Sequence, residues 1–162
     1  MENTYTIPAQ TRIGHVHLQV SDLQRSLDFY CGILGFELVM KYGEQAAFIS
    51  AGGYHHHIGL NTWNSLGGPP APKNAAGLFH TAIVYPTRKD LAQIFKKVYA
   101  SGHPITGASD HGVSEAIYLN DPDQNGVELY WDRPKKLWPK DEHGTLTMFT
   151  NPLDIQDLLS EL

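Results

Sequence analysis

Residues 13–35 read IGHVHLQVSDLQRSLDFYCGILG, and this stretch sets the plan of the whole chain. Polar and apolar residues alternate over residues 13–20, which predicts a strand that carries His15, His17 and Gln19 on one face. An amphipathic helical pattern follows directly and closes on a glycine, as helices often do. The stretch therefore predicts a strand with a polar face and then a helix.

The first helix begins at a capping residue, Ser21 or Asp22, and ends at Gly35. Three more strand candidates follow it: FELVMKY at 36–42, QAAFISA at 45–51 and YHHHIGLNTW at 54–63. After a loop rich in proline and glycine, the second half of the chain repeats this order. Its segments are a strand at 78–86 (LFHTAIVYP), a helix at 88–102, and three strands at 105–111, 114–122 and 126–132.

The two halves predict an α+β fold made of two βαβββ modules, residues 12–66 and 77–132, in one structural domain. Joined edge to edge, the modules would form a curved mixed sheet around a polar trough, with the helices outside. Residues 133–162 form a C-terminal extension. Its end, PLDIQDLLSEL, predicts a short helix that covers a sheet edge or contacts a second subunit.

Three potential metal ligands occupy comparable points of the predicted strands: His15, His80 and Glu128. Two imidazoles and one carboxylate hold a divalent non-haem iron or manganese on one face and leave other positions open. A single histidine in a half-buried strand is more often a hydrogen-bonded core residue, but three ligands at matching repeat positions favour a metal site. Period-2 spacing leaves His17 as an alternative to His15, because both side chains point into the trough.

Composition excludes several other classes of function. The 162 residues carry 12 basic and 17 acidic side chains, a net charge of −5, without a basic run that would bind nucleic acid. The single cysteine excludes an intrachain disulfide, and no apolar run is long enough to span a membrane. The N-terminus does not resemble a signal peptide. We therefore expect a cytoplasmic protein with no nucleic-acid or membrane partner.

Three segments carry a family resemblance: HVHLQVSDLQRSLDFYCGILGFELV, FHTAIVYP and IYLNDPDQNGVELYW. They resemble the vicinal oxygen chelate superfamily, which includes glyoxalase I, fosfomycin and bleomycin resistance proteins and extradiol catechol dioxygenases. The resemblance covers about residues 12–132. It implies that His15, His80 and Glu128 hold the metal, one histidine from the first module and the other two ligands from the second.

The segment HGVSEAIYLNDPDQNGVELY is similar to the extradiol dioxygenase signature, and this likeness implies roles for His111 and Tyr118 in the substrate and oxygen pocket. It also places His57 where those dioxygenases have an acid–base histidine. Two residues depart from the signature. Gln124 stands in place of glycine, and Ser109 is unusual two residues before the histidine.

The resemblance implies a non-haem metal-dependent extradiol dioxygenase that cleaves a catechol-type ring with O2, as in aromatic compound catabolism. Fe(II) is the expected metal and Mn(II) the alternative, with Zn or Ni if the protein is glyoxalase-like. The expected ligands are a small aromatic diol and O2, and the sequence is compatible with a homodimer. Alternative functions are a glyoxalase I-type lyase or isomerase, or a metal-bearing resistance or binding protein. A glyoxalase would need a second glutamate in the first module, where His57, Gly59 and Asn61 stand instead.

Overall fold

The computed structural model describes residues 5–162 and shows an α+β chain in which the same order of elements occurs twice. The elements of the first module are β1 (Val16–Gln19), α1 (Leu23–Leu27), β2 (Glu37–Tyr42), β3 (Ala46–Ser50) and β4 (Ile58–Asn61). Those of the second are β5 (His80–Val84), α2 (Arg88–Ala100), β6 (Ile105–Asp110), β7 (Ser114–Asn120) and β8 (Gly126–Asp132). The α+β class and the βαβββ order are confirmed, whereas the module boundaries at 12–66 and 77–132 stay a prediction.

The strands form two sheets. Their orders are β1-β4-β3-β2 and β5-β8-β7-β6, and a ninth strand, β9 (Asn151–Pro152), is added beyond β6. In both sheets the first strand of the module runs parallel to the last one, and the other pairs are antiparallel. Within residues 5–162 no ladder joins β1 to β5. The expected single curved sheet is thus realised as two sheets, whose edge strands border a common cleft.

Both module helices start at a side-chain cap. Asp22, rather than Ser21, caps α1, and its carboxylate accepts a hydrogen bond from the backbone N–H of Arg25 at 3.0 Å. Thr87 caps α2 and forms a reciprocal capping box with Asp90. Helix α1 continues as a π-helical turn over Asp28–Ile33, which widens the helix before the chain enters β2.

The strand β4 starts later than the sequence predicts. It begins at Ile58, so the expectation of a strand from Tyr54 is wrong, and His55–His57 lie in a bend. A turn at Gly52 and Gly53, with φ of 64° and 75°, reverses the chain before this bend. Of these three histidines, His57 alone forms backbone hydrogen bonds to the neighbouring strands. The side chains of His55–His57 therefore do not follow the alternating directions of a strand.

The two modules share one hydrophobic core, and the turn between β7 and β8, which reads DPDQN, ties them together. Asp121 in this turn is buried and accepts a hydrogen bond from the Tyr30 hydroxyl at 3.0 Å. Asp123 accepts from the Ser21 hydroxyl and from the Arg25 guanidinium, both at 2.6 Å. The DP segment, which the resemblance linked to the active-site signature, therefore joins the modules.

Gln124 in the same turn has a φ of 68°, the left-handed conformation that glycine adopts without strain. The departure from the signature at this position leaves the turn in a glycine-like shape. A non-glycine residue in this conformation costs roughly 1–2 kcal/mol.

The C-terminal extension packs against the second module. Helix α3 (Ile155–Leu159) lies on α2 and buries Leu158, while β9 adds to the edge strand β6. The Arg88 guanidinium joins the two helices to the sheet, since it bonds the buried Glu115 at 2.8 Å and Asp157 at 2.6 Å. In residues 5–162 no helix is both long enough and apolar enough to cross a bilayer.

Candidate functional site

A row of four polar side chains crosses the second sheet; we call it the polar row. Its members are His80, Glu128, Tyr118 and His111. The His80 Nε2 lies 2.9 Å from Glu128 Oε2, and the Tyr118 hydroxyl lies 3.0 Å from Glu128 Oε1. His111 Nε2 lies 2.6 Å from the same hydroxyl. Four of the six site residues expected from the sequence are therefore in direct contact.

Strand register brings the polar row together. Strand β8 lies between β5 and β7, and Tyr118 on β7 stands directly opposite Glu128 on β8. His80 opens β5 and pairs with Gly126, two residues before Glu128, so both side chains point to the same face.

Gly126 shapes the contact between His80 and Glu128, and no sequence pattern predicted this. A Cβ at this position would lie 2.2 Å from the carbonyl oxygen of Phe79 and 3.0 Å from the Cβ of His80. Only glycine allows β5 to approach β8 this closely at the point where His80 meets Glu128. The repeated strand order indicates which strands pair, but the close approach is visible only in the packed structure.

The outer end of the polar row is held by backbone. The His111 Nδ1 lies 2.9 Å from the carbonyl oxygen of Phe149, and because a carbonyl only accepts, this nitrogen carries a proton. Tyr118 has a single proton and cannot donate to both Glu128 and His111. If every contact in the row is a hydrogen bond, the row must hold one more proton than its four groups carry as two neutral imidazoles, a phenol and a carboxylate.

The electrostatic surroundings keep Tyr118 protonated. Burial, followed by the negative charge of Glu128 and the hydrogen bond to it, raises the pKa of Tyr118 to about 12. A neutral phenol remains a hydrogen-bond donor throughout the physiological pH range. The row thus contains a donor beside a carboxylate.

The donor set at His80 and Glu128 fits a divalent metal. Neighbouring ligands of an octahedral ion, each about 2.1 Å from it, lie roughly 3 Å apart, and the two side-chain atoms are separated by 2.9 Å. The Nδ1 of His80 is buried and has no hydrogen-bond partner among residues 5–162. Across residues 5–162 no three His, Cys, Asp or Glu side chains are assembled as a ready metal site.

His15 is not part of the polar row. It lies just before β1, is exposed, and packs against the ring of His56 with centroids 4.3 Å apart and the ring planes tilted by 48°. It also lines the cleft of about 540 Å³ between the two sheets, which Thr81 and Ala82 of β5 border from the other side. The strand that follows His15 and the strand that begins at His80 therefore face one another across this cleft.

His57 also lines the cleft, apart from the polar row. Its Nδ1 accepts from the backbone N–H of Ala51 at 3.3 Å and lies 3.0 Å from the Ser50 hydroxyl. A backbone N–H always donates, so Nδ1 of His57 is unprotonated and the neutral ring carries its proton on Nε2.

The first module has no carboxylate at the point that matches Glu128. When His15 is aligned with His80, the cross-strand pair His17 and Gly59 corresponds to the pair Ala82 and Glu128. The ring of His17 covers Gly59, and a Cβ on this glycine would lie 2.9 Å from it.

The same ring packs against two aromatic neighbours. The centroid of His17 lies 5.9 Å from that of Phe48 and 5.6 Å from that of Trp63. Burial, followed by the charge of His15, lowers the pKa of His17. The alternative ligand is thus packed into an aromatic cluster, and no hydrogen bond links it to the polar row within residues 5–162.

Several known proteins have sequences similar to this chain. The chain is 40% identical over 156 residues to a catechol-2,3-dioxygenase of Bacillus subtilis (strain 168), with 96% of this chain and 54% of that protein covered. It is 35% identical over 128 residues to biphenyl-2,3-diol 1,2-dioxygenase 2 of Rhodococcus globerulus, with 76% and 64% covered. The chain thus spans about half to two thirds of the length of these relatives.

The fold is also found in a solved structure of a glyoxalase/dioxygenase from Nostoc punctiforme. The two share 19% identity with a TM-score of 0.66, over 82% of this chain and 99% of that one. Residues 12–129 match the model of one protein family. The chain belongs to the glyoxalase/bleomycin resistance protein/dioxygenase superfamily.

Proposed function

We propose that this protein is a non-haem metal-dependent extradiol dioxygenase that cleaves a catechol-type ring with O2. The observation that carries the proposal is the polar row, in which a histidine–carboxylate pair adjoins a phenol and a second imidazole. The names of the two similar dioxygenases support the reaction class. The substrate would be a small aromatic diol.

His80 and Glu128 would hold the metal, with His15 as the third ligand. When bound, Fe(II) or Mn(II) would supply Lewis acidity and an open face for two substrate oxygens and O2. His15 borders the cleft opposite β5, and its ring lies against that of His56. We propose that it reaches the site when the two edge strands approach each other, because metal binding supplies free energy to such a rearrangement.

The side chains of the polar row would hold and move protons. Because the pKa of Tyr118 is raised to about 12, its hydroxyl stays available to donate a hydrogen bond to a substrate oxygen that gains negative charge. The Nε2 of His111, at 2.6 Å from that hydroxyl, would accept its hydrogen bond when no substrate oxygen takes it.

His57 would act from the cleft. Its neutral ring presents Nε2–H, because the Ala51 backbone N–H occupies Nδ1. In this tautomer the Nε2–H of His57 would donate a hydrogen bond to a substrate oxygen, and the ring would act as an acid only once Nδ1 had gained a second proton.

The glyoxalase I-type alternative is disfavoured by a specific feature of the first module. Such an enzyme needs a second carboxylate in the first module, where Gly59 stands opposite His17, and a Cβ at Gly59 would lie 2.9 Å from the His17 ring. The second module also lacks the cationic lining that a fosfomycin-type transferase needs, since residues 104–131 contain no lysine or arginine.

The test is turnover by protein loaded anaerobically with Fe(II) and mixed with simple catechols and ¹⁸O₂. We expect a yellow ring-cleaved product that contains both labelled oxygen atoms. A protein that converts a hemithioacetal of glutathione and leaves every catechol intact would contradict the proposal. The variant Tyr118→Phe should bind catechol as the parent does and turn it over ~10²-fold more slowly.

A further inference from the structure

The C-terminal extension touches the polar row at one residue. The Phe149 carbonyl oxygen lies 2.9 Å from His111 Nδ1, and the Phe149 N–H donates to the His111 carbonyl at 3.4 Å. The Thr150 hydroxyl lies 3.3 Å from the same Nδ1. Both the ring and the backbone of His111 are thus hydrogen-bonded to a segment that is distant in sequence.

The turn after His111 is shaped to receive this segment. Gly112 has a φ of 77°, and a Cβ on it would lie 2.7 Å from the ring of Phe149 and 2.8 Å from Pro139. Two residues from different parts of the extension therefore cover Gly112 with no space left for a side chain.

The segment is fixed on both sides of this contact; we call residues 138–152 the strap. On one side the Trp138 indole N–H donates to the Arg133 carbonyl at 2.6 Å, and the Thr147 N–H donates to the Pro139 carbonyl at 3.0 Å. On the other side β9 pairs with Ser109 and Asp110 of β6. The carbonyl of Phe149 is held by contacts on either side of it.

We propose that the strap positions His111, so that its Nδ1 is always protonated and its Nε2 faces Tyr118. The Tyr118 hydroxyl can donate or accept and cannot choose between the two tautomers of a neutral imidazole. The Phe149 carbonyl can only accept a hydrogen bond, so it selects the tautomer in which Nδ1 of His111 is protonated. Phe149 is a positioning residue, and the catalytic consequence of its contact rests on the proposed function.

The test uses two glycine variants with equal backbone demands. Gly112→Ala places a methyl group against the strap, whereas Gly102→Ala, outside the strap and at a φ of 75°, meets nothing within 4 Å in residues 5–162. We would record ¹⁵N spectra of the metal-free proteins at about pH 9, where imidazoles are neutral. The parent and Gly102→Ala should show one His111 tautomer, protonated at Nδ1. Gly112→Ala should show a mixture of both.

A second variant covers the case in which Gly112→Ala does not fold. Phe149→Gly removes the ring that lies on Gly112 and loosens the strap without straining the turn. It should also populate the second tautomer. If the folded variants at both positions keep the pure Nδ1–H form, the strap does not choose the tautomer and the proposal is overturned.

Turnover provides a separate readout. If the proposed function holds, Gly112→Ala should lower kcat by ~10-fold or more with little change in KM, and Gly102→Ala should match the parent. Should the parent itself fail to turn over catechols, the proposed function fails while the spectra still decide the role of the strap.

Discussion

The close approach of β5 to β8 gives the sharpest test of the candidate site. Replacing Gly126 by alanine adds a Cβ that would lie 2.2 Å from the Phe79 carbonyl oxygen. An ordinary contact begins near 3.4 Å, so the start of β5 must move away by 3.4 − 2.2 = 1.2 Å. This shift acts on the residue next to His80.

Such a displacement is large on the scale of the His80–Glu128 pair. If it is transmitted to the imidazole, the separation of 2.9 Å widens by up to the same amount, beyond the range of a hydrogen bond or of two ligands on one ion. We expect the affinity for Fe(II), Mn(II) or Zn(II) to fall by roughly 10–100-fold, as it does when a ligand is no longer held in place. Stability should fall by about 1–3 kcal/mol through overpacking.

Titration calorimetry with a metal and urea unfolding measure the two effects. Gly107→Ala is the matched control, because Gly107 lies on β6 of the same sheet, opposite Tyr118, and its Cβ would meet only the Tyr118 ring at 3.7 Å. This variant should bind metal like the parent. An unchanged metal affinity in folded Gly126→Ala would refute the reasoning that the close approach of the two strands forms the site.

Four further outcomes are expected. Glu128→Ala should lose bound metal without unfolding, and stoichiometric retention in a metal analysis would contradict the ligand assignment. Glu128→Gln should lower the pKa of Tyr118 from its value of about 12, because the negative charge that disfavours the phenolate is removed; tyrosinate absorbance during a pH titration measures it. His57→Ala should keep the metal and lose turnover by ~10²-fold. Gln124→Gly should stabilise the protein by about 0.5–1 kcal/mol in urea unfolding, since it relieves a left-handed φ, while Gln93→Gly inside α2 should destabilise it.

The repeated order of strands and helices could be predicted from the sequence, because strand alternation and helix caps depend on residues that are close together in the chain. Asp22 and Thr87 cap their helices where polar residues precede an amphipathic pattern, and each strand of the second module lies within its predicted range. The start of β4 was not predictable in this way. His55–His57 fit the composition of a strand, but a preceding glycine turn decides the backbone there.

The candidate site was predictable in part for the same reason. Tyr118 and Glu128 lie on adjacent strands, and their contact follows from register once the strands are known. His111 and Phe149 are 38 residues apart, and Phe149 lies in an extension whose sequence has no periodicity. No local sequence pattern therefore predicts their contact. The place of His15 depends on how the two sheets approach each other, which is a property of the packed modules.

The divergence of the two modules follows from the space available at one cross-strand pair. In the second module a small residue, Ala82, stands opposite the large Glu128, and in the first a large residue, His17, stands opposite Gly59. Each pair thus combines one long side chain with one short one. The ring of His17 already occupies the space above Gly59, so a carboxylate there would require the His17 ring to move. A second copy of the carboxylate-bearing module therefore needs a rearrangement at His17 as well as a substitution at Gly59, and in the present sequence Glu128 is the one carboxylate that these two positions supply.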